Sequence, residues 1–291
     1  MSALRTAGSG LLRSLKIMAR NKVGFLGFVL VVLIVLIAYI APLFVPLDKT
    51  AHVEQIYEGP SASHLLGTDY QGRDNMSQIL NGGKDIIYVA ALAAALGVSI
   101  AVVLGSLSAL LGGVVNNLAV GLAEMVLTIP HFPLLIVLAG FMRLTRPTSL
   151  ALILGALSWA GLMLAIRSQV LSLKEREYVQ AARCLGLPIR HLLFQEILPN
   201  MMSYVVISFV LAMTSAMYQQ VGLIFLGIVP LASSNWGVMI SLAWSQGAIF
   251  SSESSWYLLM PIAVVALLQF SLVSMTRSLD ELFNPRLRMG E

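Results

Sequence analysis

The sequence predicts an all-α polytopic membrane protein: six transmembrane helices, with a helix-turn-helix insert between spans four and five. Three observations carry this. Of 291 residues, 58% are hydrophobic and 11% charged, against roughly 25% charged in a soluble domain, so the chain has too little polar surface to fold in water. Six apolar stretches, near residues 23–45, 86–112, 117–142, 148–171, 201–228 and 257–276, are each long enough to cross about 30 Å of hydrocarbon. With the N-terminus in the cytoplasm, the inside segments hold twelve Lys or Arg and the outside segments five, which is the bias that sets orientation. Both termini are therefore expected inside.

The first 22 residues carry Arg5, Arg13, Lys16, Arg20 and Lys22 ahead of an apolar run. A secretory signal has this pattern, but the run from Val23 to Val45 is too long for a cleaved h-region and is expected to stay as span one. Residues 1–22 are thus a cytoplasmic segment and 23–291 one transmembrane domain. In the outside segment 46–85, Pro46, Gly59, Pro60 and the stretch HLLGTDYQGRDNMSQILNGG predict a loop leading into a short interfacial helix over 74–80. Asp69 or Asp74 is placed to cap that helix by accepting backbone N–H bonds. Further on, Pro130 and Pro133 bracket His131 and predict a kink in span three, freeing carbonyls that must be satisfied inside the bundle or a wet cavity. After span five, residues 229–256 form a second outside segment whose Trp236, Trp244 and Trp256 suit an outer interface.

The insert, residues 172–200, is the one polar stretch between two long apolar ones. From Lys174 to Leu185 the sequence favours helix, with Glu175 and Glu177 in the first turn and Arg183 in the last, each suited to the helix dipole. Gly186 is the natural stop. Pro188 suits the first turn of a second helix, where Ile189, Leu192, Leu193 and Ile197 recur at helical spacing until Pro199 is expected to break it. On the first helix Tyr178, Ala181, Ala182 and Leu185 share one side, and the alanines allow close approach of a partner surface. An amphipathic loop lying in the lipid headgroups is the plainer alternative.

Several chemistries are excluded. Cys184 is the single cysteine, so neither an internal disulfide nor a Cys-x-x-Cys site can form. His52, His64, His131 and His191 fall in separate segments without metal-ligand spacing, and no metal site is expected. Gly83-Lys84 is followed by Asp85 and lacks the upstream glycine of a phosphate-binding loop, so the chain does not bind ATP by itself. No Gly-x-Ser-x-Gly elbow occurs, which leaves a membrane-embedded hydrolase unsupported. The net charge of +4 is not gathered on one face, and no nucleic-acid partner is expected. An ion-driven secondary transporter calls for paired intramembrane carboxylates or repeated halves, whereas one buried acid and no repeat are found.

Order of residues then narrows the reading. Glu177-Tyr178-x-x-Ala181-Ala182-x-x-x-Gly186, followed by Pro199-Asn200, resembles the cytoplasmic coupling loop of ABC-importer membrane subunits. HLLGTDYQGRD, TIPHFPLL, FLGIVP with NWGVM, and LDELFNPRL resemble segments of the dipeptide and oligopeptide permease branch, specifically its second membrane subunit. At Gln219-Gln220 that branch usually has an acidic residue followed by Ala, and its Asn-Leu-Leu-Gly-Asp run is replaced by SLVSMTRS.

The resemblance implies half of a translocation pathway in a bacterial or archaeal cytoplasmic membrane. It implies four kinds of partner: a second homologous permease, two ATP-binding subunits holding ATP and Mg, an external substrate-binding protein and the bilayer. Peptides are the implied substrates, with oligosaccharides as the alternative and nickel complexes behind them. Glu177, Tyr178, Ala181, Ala182, Arg183, Gly186, Pro199 and Asn200 become the ATPase-coupling residues. Arg73, Asp74 and Trp236 become candidates for facing the binding protein, with Trp236 and Trp244 equally able to form a platform for sugar rings.

Inside the membrane a polar group facing lipid costs up to a few kcal/mol, so Glu124, His131, Gln169, Gln219, Gln220 and Gln269 should face protein or water. Glu124, His131, Gln219 and Gln220 are the candidates for the pathway. Glu124 has a second role open to it, a pairing with Arg167 near the inner end of span three.

Overall fold

The computed structural model describes residues 14–47, 49–142, 144, 146–229 and 234–283. Arg5, Arg13, Arg143, Pro230 of FLGIVP and the end of LDELFNPRL lie outside the described residues. Among the described residues, ten helices of eight residues or more order the fold: α1 Lys22–Ile40, α2 Asn75–Leu111, α3 Gly113–Thr128, α4 His131–Met142, α5 Pro147–Leu157, α6 Trp159–Lys174, α7 Glu177–Cys184, α8 Leu198–Phe225, α9 Trp236–Ser245 and α10 Ser255–Phe283. Among the described residues no strand forms; Thr68 and Asp74 make an isolated bridge. Four helices are long and apolar enough to cross a membrane, and six crossings result if α3 with α4 and α5 with α6 each count as one bent span.

α2 is the central element, packing against α6, α8, α5, α1 and α3, while α1 lies along α10. Its 37 residues correct the expectation of a separate interfacial helix over 74–80, because helix runs unbroken from Asn75 through span two. Gly82 and Gly83 sit inside it for closeness of approach. A Cβ on Gly82 would lie 1.9 Å from the Ser234 carbonyl oxygen and one on Gly83 2.6 Å from the Trp236 ring. The glycines cost some helix propensity and in return let α9 lie directly on α2.

The two bends have different causes. Ile129, which precedes Pro130, is pushed to an extended conformation (φ −86°, ψ 126°), as a residue before proline prefers. α3 and α4 therefore meet at 84°, a sharper break than the expected kink. Span four, expected to be continuous over 148–171, bends by 46° at Ser158, whose hydroxyl donates to the Gly155 carbonyl at 3.2 Å. Such local bonding competes with the helical ladder.

Residues 49–74 fold over the start of α2 around one carboxylate. Asp69 is fully buried. Its Oδ1 accepts from the backbone N–H of Gln71 (2.8 Å) and of Arg73 (2.9 Å), and its Oδ2 from Arg73 Nε (2.8 Å) and Gln78 Nε2 (2.9 Å). Arg73 Nη2 is 2.7 Å from the same oxygen. The Arg73 guanidinium also stacks over Tyr70, 5.7 Å from the ring centroid. Burial, then Asp69 and Tyr70, push the Tyr57 phenol above its ordinary range, so it stays protonated here. Asp74 caps α2, accepting from Ser77 N–H at 2.7 Å, with His64 Nδ1 3.2 Å from its other oxygen.

Candidate functional site

In the insert, α7 ends in a compact turn. Gly186 N–H donates to Arg183 O (2.9 Å) and Leu187 N–H to Ala182 O (3.2 Å), the paired bonds of a Schellman cap. Gly186 takes φ +71° there, the left-handed region that a β-branched residue resists. The chain then turns through Pro188 and Ile189–His191 into a π-helical turn, Leu192–Ile197, which runs on into α8. Pro199 therefore does not break the second helix as expected. It sits in the first turn of α8, where its ring crowds the carbonyl four residues back, and the preceding turn widens. Asn200 Nδ2 donates to Glu196 O at 2.6 Å.

The insert has its own small core. Val179, Ala182, Leu192, Leu193 and Ile197 pack together with Ile166 and Val170 of α6 and with Ala109 and Leu110 of α2. Lys174 Nζ donates to Ala109 O at 3.1 Å, pinning the base of the insert to the end of α2. Ala182 is 5% exposed and belongs to this core, which corrects the reading of it as a partner contact. Tyr178, Ala181 and Leu185 do face outward, Leu185 at 77% exposure, along with Glu177, Arg183 and Phe194. Burial pushes the Tyr178 phenol upward, Arg176 opposing and Glu196 adding, so its hydroxyl remains a neutral donor. Phe194 was missed by sequence reasoning, because an apolar residue between Leu193 and Ile197 reads as core.

The binding-protein-facing candidates are corrected. Arg73 is spent on Asp69, and Trp236 is 2% exposed with its Nε1 donating to Ile79 O at 2.8 Å. Asp74 is a helix cap. Trp244 stays exposed beside Phe225, ring centroids 6.0 Å apart, so the two tryptophans make no common platform.

The pathway candidates separate as well. Glu124 lies on an exposed face of α3 and is not paired with Arg167, whose Nε donates to Asn116 Oδ1 instead. His131 begins α4, its ring Nε2 buried without a hydrogen-bond partner. Gln220 is fully buried with neither amide atom partnered. Gln269 donates to Thr214 O at 3.3 Å. Gln219 lines a pocket of about 290 Å³ between α2, α5, α6 and α8, together with Ser158, Tyr204, Ser208 and Ser215. A larger cleft, about 880 Å³, lies where the insert meets the start of α8 and the end of α10, lined by Glu175, Arg176, Glu177, Asn200, Tyr204 and Asp280 among others. Tyr204, Ser208 and Ser215 were also missed. Their spacing along span five, one face of a helix, was the available signal. Among the described residues no group of three or more His, Cys, Asp or Glu side chains is placed to hold a metal ion.

Comparison with known proteins gives this helical assembly its family. Residues 97–289 match the binding-protein-dependent transport system inner membrane component, and residues 12–60 match the N-terminal transmembrane domain of oligopeptide transport permease C. A Brucella suis protein provisionally named a peptide permease protein is 30% identical over 99% of this chain and 98% of its own length. The oligopeptide transport system permease protein OppC of Bacillus subtilis is 30% identical over 92% of this chain and 87% of its own. The dipeptide transport system permease protein DppC of the same organism is 28% identical over 93% and 84%. The chain therefore belongs to the binding-protein-dependent inner membrane components, as a permease subunit of an ABC importer rather than an enzyme.

Proposed function

We propose that the chain is the second membrane subunit of a peptide importer, with six spans, both termini in the cytoplasm and the insert as its coupling element. It pairs with a similar permease, two ATPases that hold ATP and Mg, and an external binding protein. Closure of the ATPase dimer moves the insert, which carries the motion into α6 and α8. The observation that supports this most is the outward face of α7. Tyr178, Ala181 and Leu185 stand exposed on a helix held by its own core and a Schellman turn, so an apolar surface is presented rigidly. The Lys and Arg asymmetry supports the orientation.

Peptides are the substrate class favoured by the names of the relatives, and burial of Trp236 removes one support for oligosaccharides. Co-purification with the ATPases tests the coupling role. Leu185→Glu puts a charge on the exposed face without touching the core, so the chain should insert and fold normally while ATPase capture and ATP-driven uptake fall about tenfold or more. Normal capture and uptake in this variant would return the insert to a surface loop. For orientation, Ser61→Cys should be labelled from outside intact cells by an impermeant reagent and Ser172→Cys should not. The reverse pattern overturns the topology.

A further inference from the structure

The pocket and the cleft described above share one residue, Tyr204, and they differ in charge. Apart from the Tyr204 phenol, no ionisable side chain lines the pocket. The cleft is lined by Glu175, Glu177 and Asp280 against the single base Arg176. Along α8 the two are neighbours: Ser203 and Tyr204 belong to the cleft, and Tyr204, Ser208, Ser215 and Gln219 to the pocket.

The pocket also holds hydrogen-bonding capacity that the chain does not use. Gln219 Nε2 donates to Ser215 Oγ at 2.9 Å, which leaves the Ser215 hydroxyl proton free to turn toward the pocket. Gln219 Oε1 is buried and has no partner. That oxygen has no accessible surface, so what the pocket itself offers is the exposed Ser215 hydroxyl, with a proton to donate and a lone pair left to accept, in a site with no counter-charge. A neutral hydrogen-bonding group can match that hydroxyl both ways, whereas an ionised group entering the same space meets no opposite charge to offset the hydration it gives up. An uncharged group carrying both a donor and an acceptor gains the first and escapes the second.

We propose that this pocket is a subsite for an uncharged hydrogen-bonding group of the transported molecule, with Tyr204 forming the constriction between the subsite and the acidic cleft. The assignment rests on the importer reading above, under which the group is a peptide amide. A sugar hydroxyl has the same donor and acceptor chemistry. Charged ends of the cargo stay in the cleft, where water and side-chain charges solvate them.

The test uses the assembled importer with Cys184→Ser as background and compares Ser215→Cys in the pocket with Ser203→Cys in the cleft. Each is treated with hydroxyethyl, trimethylammonium-ethyl and sulfonatoethyl methanethiosulfonates, and rates are normalised to those of free cysteine. At Ser215→Cys the neutral reagent should react about tenfold faster than either charged one, whereas at Ser203→Cys the cationic reagent should match or exceed it. Adding Tyr204→Ala should raise all three rates at Ser215→Cys and leave those at Ser203→Cys unchanged. Ala212→Cys, in the same pocket, replaces Ser215→Cys if that variant fails to fold.

Millimolar N-acetyl-trialanine amide should slow labelling at Ser215→Cys. Slowing by cellotriose in its place keeps the subsite and assigns it to hydroxyls. Equal rates for charged and neutral reagents, or protection by neither compound, overturn the subsite. Labelling is read without ATP or binding protein, so a parent complex lacking ATP-driven uptake would sink the importer reading while leaving the charge selectivity standing.

Discussion

Residues 49–74 and the insert 172–200 are the two polar-rich stretches of a hydrophobic chain, and they use their side chains in different ways. The first is organised round one buried ion pair, Asp69 with Arg73, while Lys49, Glu54 and Glu58 and the apolar Val53 and Leu65 stay exposed. The second turns apolar groups outward, leaving Tyr178, Leu185, Ile189 and Phe194 exposed over a core of its own. A buried, hydrogen-bonded ion pair fixes the shape of the first segment from within, whereas the insert is fixed by an apolar core and a left-handed turn, with Tyr178 and Leu185 held on its outer side.

This contrast can be broken experimentally. The largest effect should come from Asp69→Ala, which leaves the Arg73 guanidinium buried without its counter-charge and Gln78 without its acceptor. The loss expected is about 3–5 kcal/mol, read as a fall in thermal stability of the detergent-purified chain. A loss below about 1 kcal/mol would mean that water replaces the carboxylate. Next, Ala182→Glu drives a charge into the insert's core and should cost about 2–4 kcal/mol, with insert-specific protease sensitivity as the readout. If this variant is as protease-resistant as the parent, Ala182 is not the core residue its burial indicates. Gly186→Val should cost about 1–2 kcal/mol, since the left-handed turn strains a β-branched residue. Its mark is preserved ATPase capture with weakened coupling of hydrolysis to uptake. The smallest change belongs to His64→Ala. It removes a partly exposed contact to Asp74 but leaves the cap on Ser77 N–H intact, so the loss should stay under about 0.5 kcal/mol.

Legibility in the sequence followed the strength of the local signal. Apolar length located the four long helices and the two bent pairs because nothing else in the chain resembles about twenty consecutive apolar residues, and Pro130 marked the sharper bend. Ser158 marked the other without a legible sign, since a serine bonding back to the previous turn looks like any serine. The Gly82-Gly83 pair carried no sign of its partner: what these residues lie against is Ser234 and Trp236, more than 150 positions away.

Within the insert, Gly186 was readable because its backbone needs a specific residue, whereas the direction of Ala182 was not. At about 100° per residue, Ala182 lies about 40° from Tyr178 on the side of Val179, and Ala181 about 60° away on the other. A methyl group carries too little hydrophobic signal to say on which side of that boundary it falls. Tyr204, Ser208, Ser215 and Gln219 share a face, but polar residues in an apolar helix were first read one at a time.

One helix joins the two regions. α2 begins beside the Asp69 cluster, where Gln78 donates to the carboxylate, and ends where the Ala109 carbonyl accepts a hydrogen bond from Lys174 Nζ. No proline interrupts its 37 residues, which at 1.5 Å each make one helix of about 55 Å, nearly twice the thickness of the hydrocarbon it crosses. A tilt of about 10° at one end sweeps the other through about 10 Å. The two polar regions are therefore opposite ends of one beam, and neither can be reoriented without the other registering it.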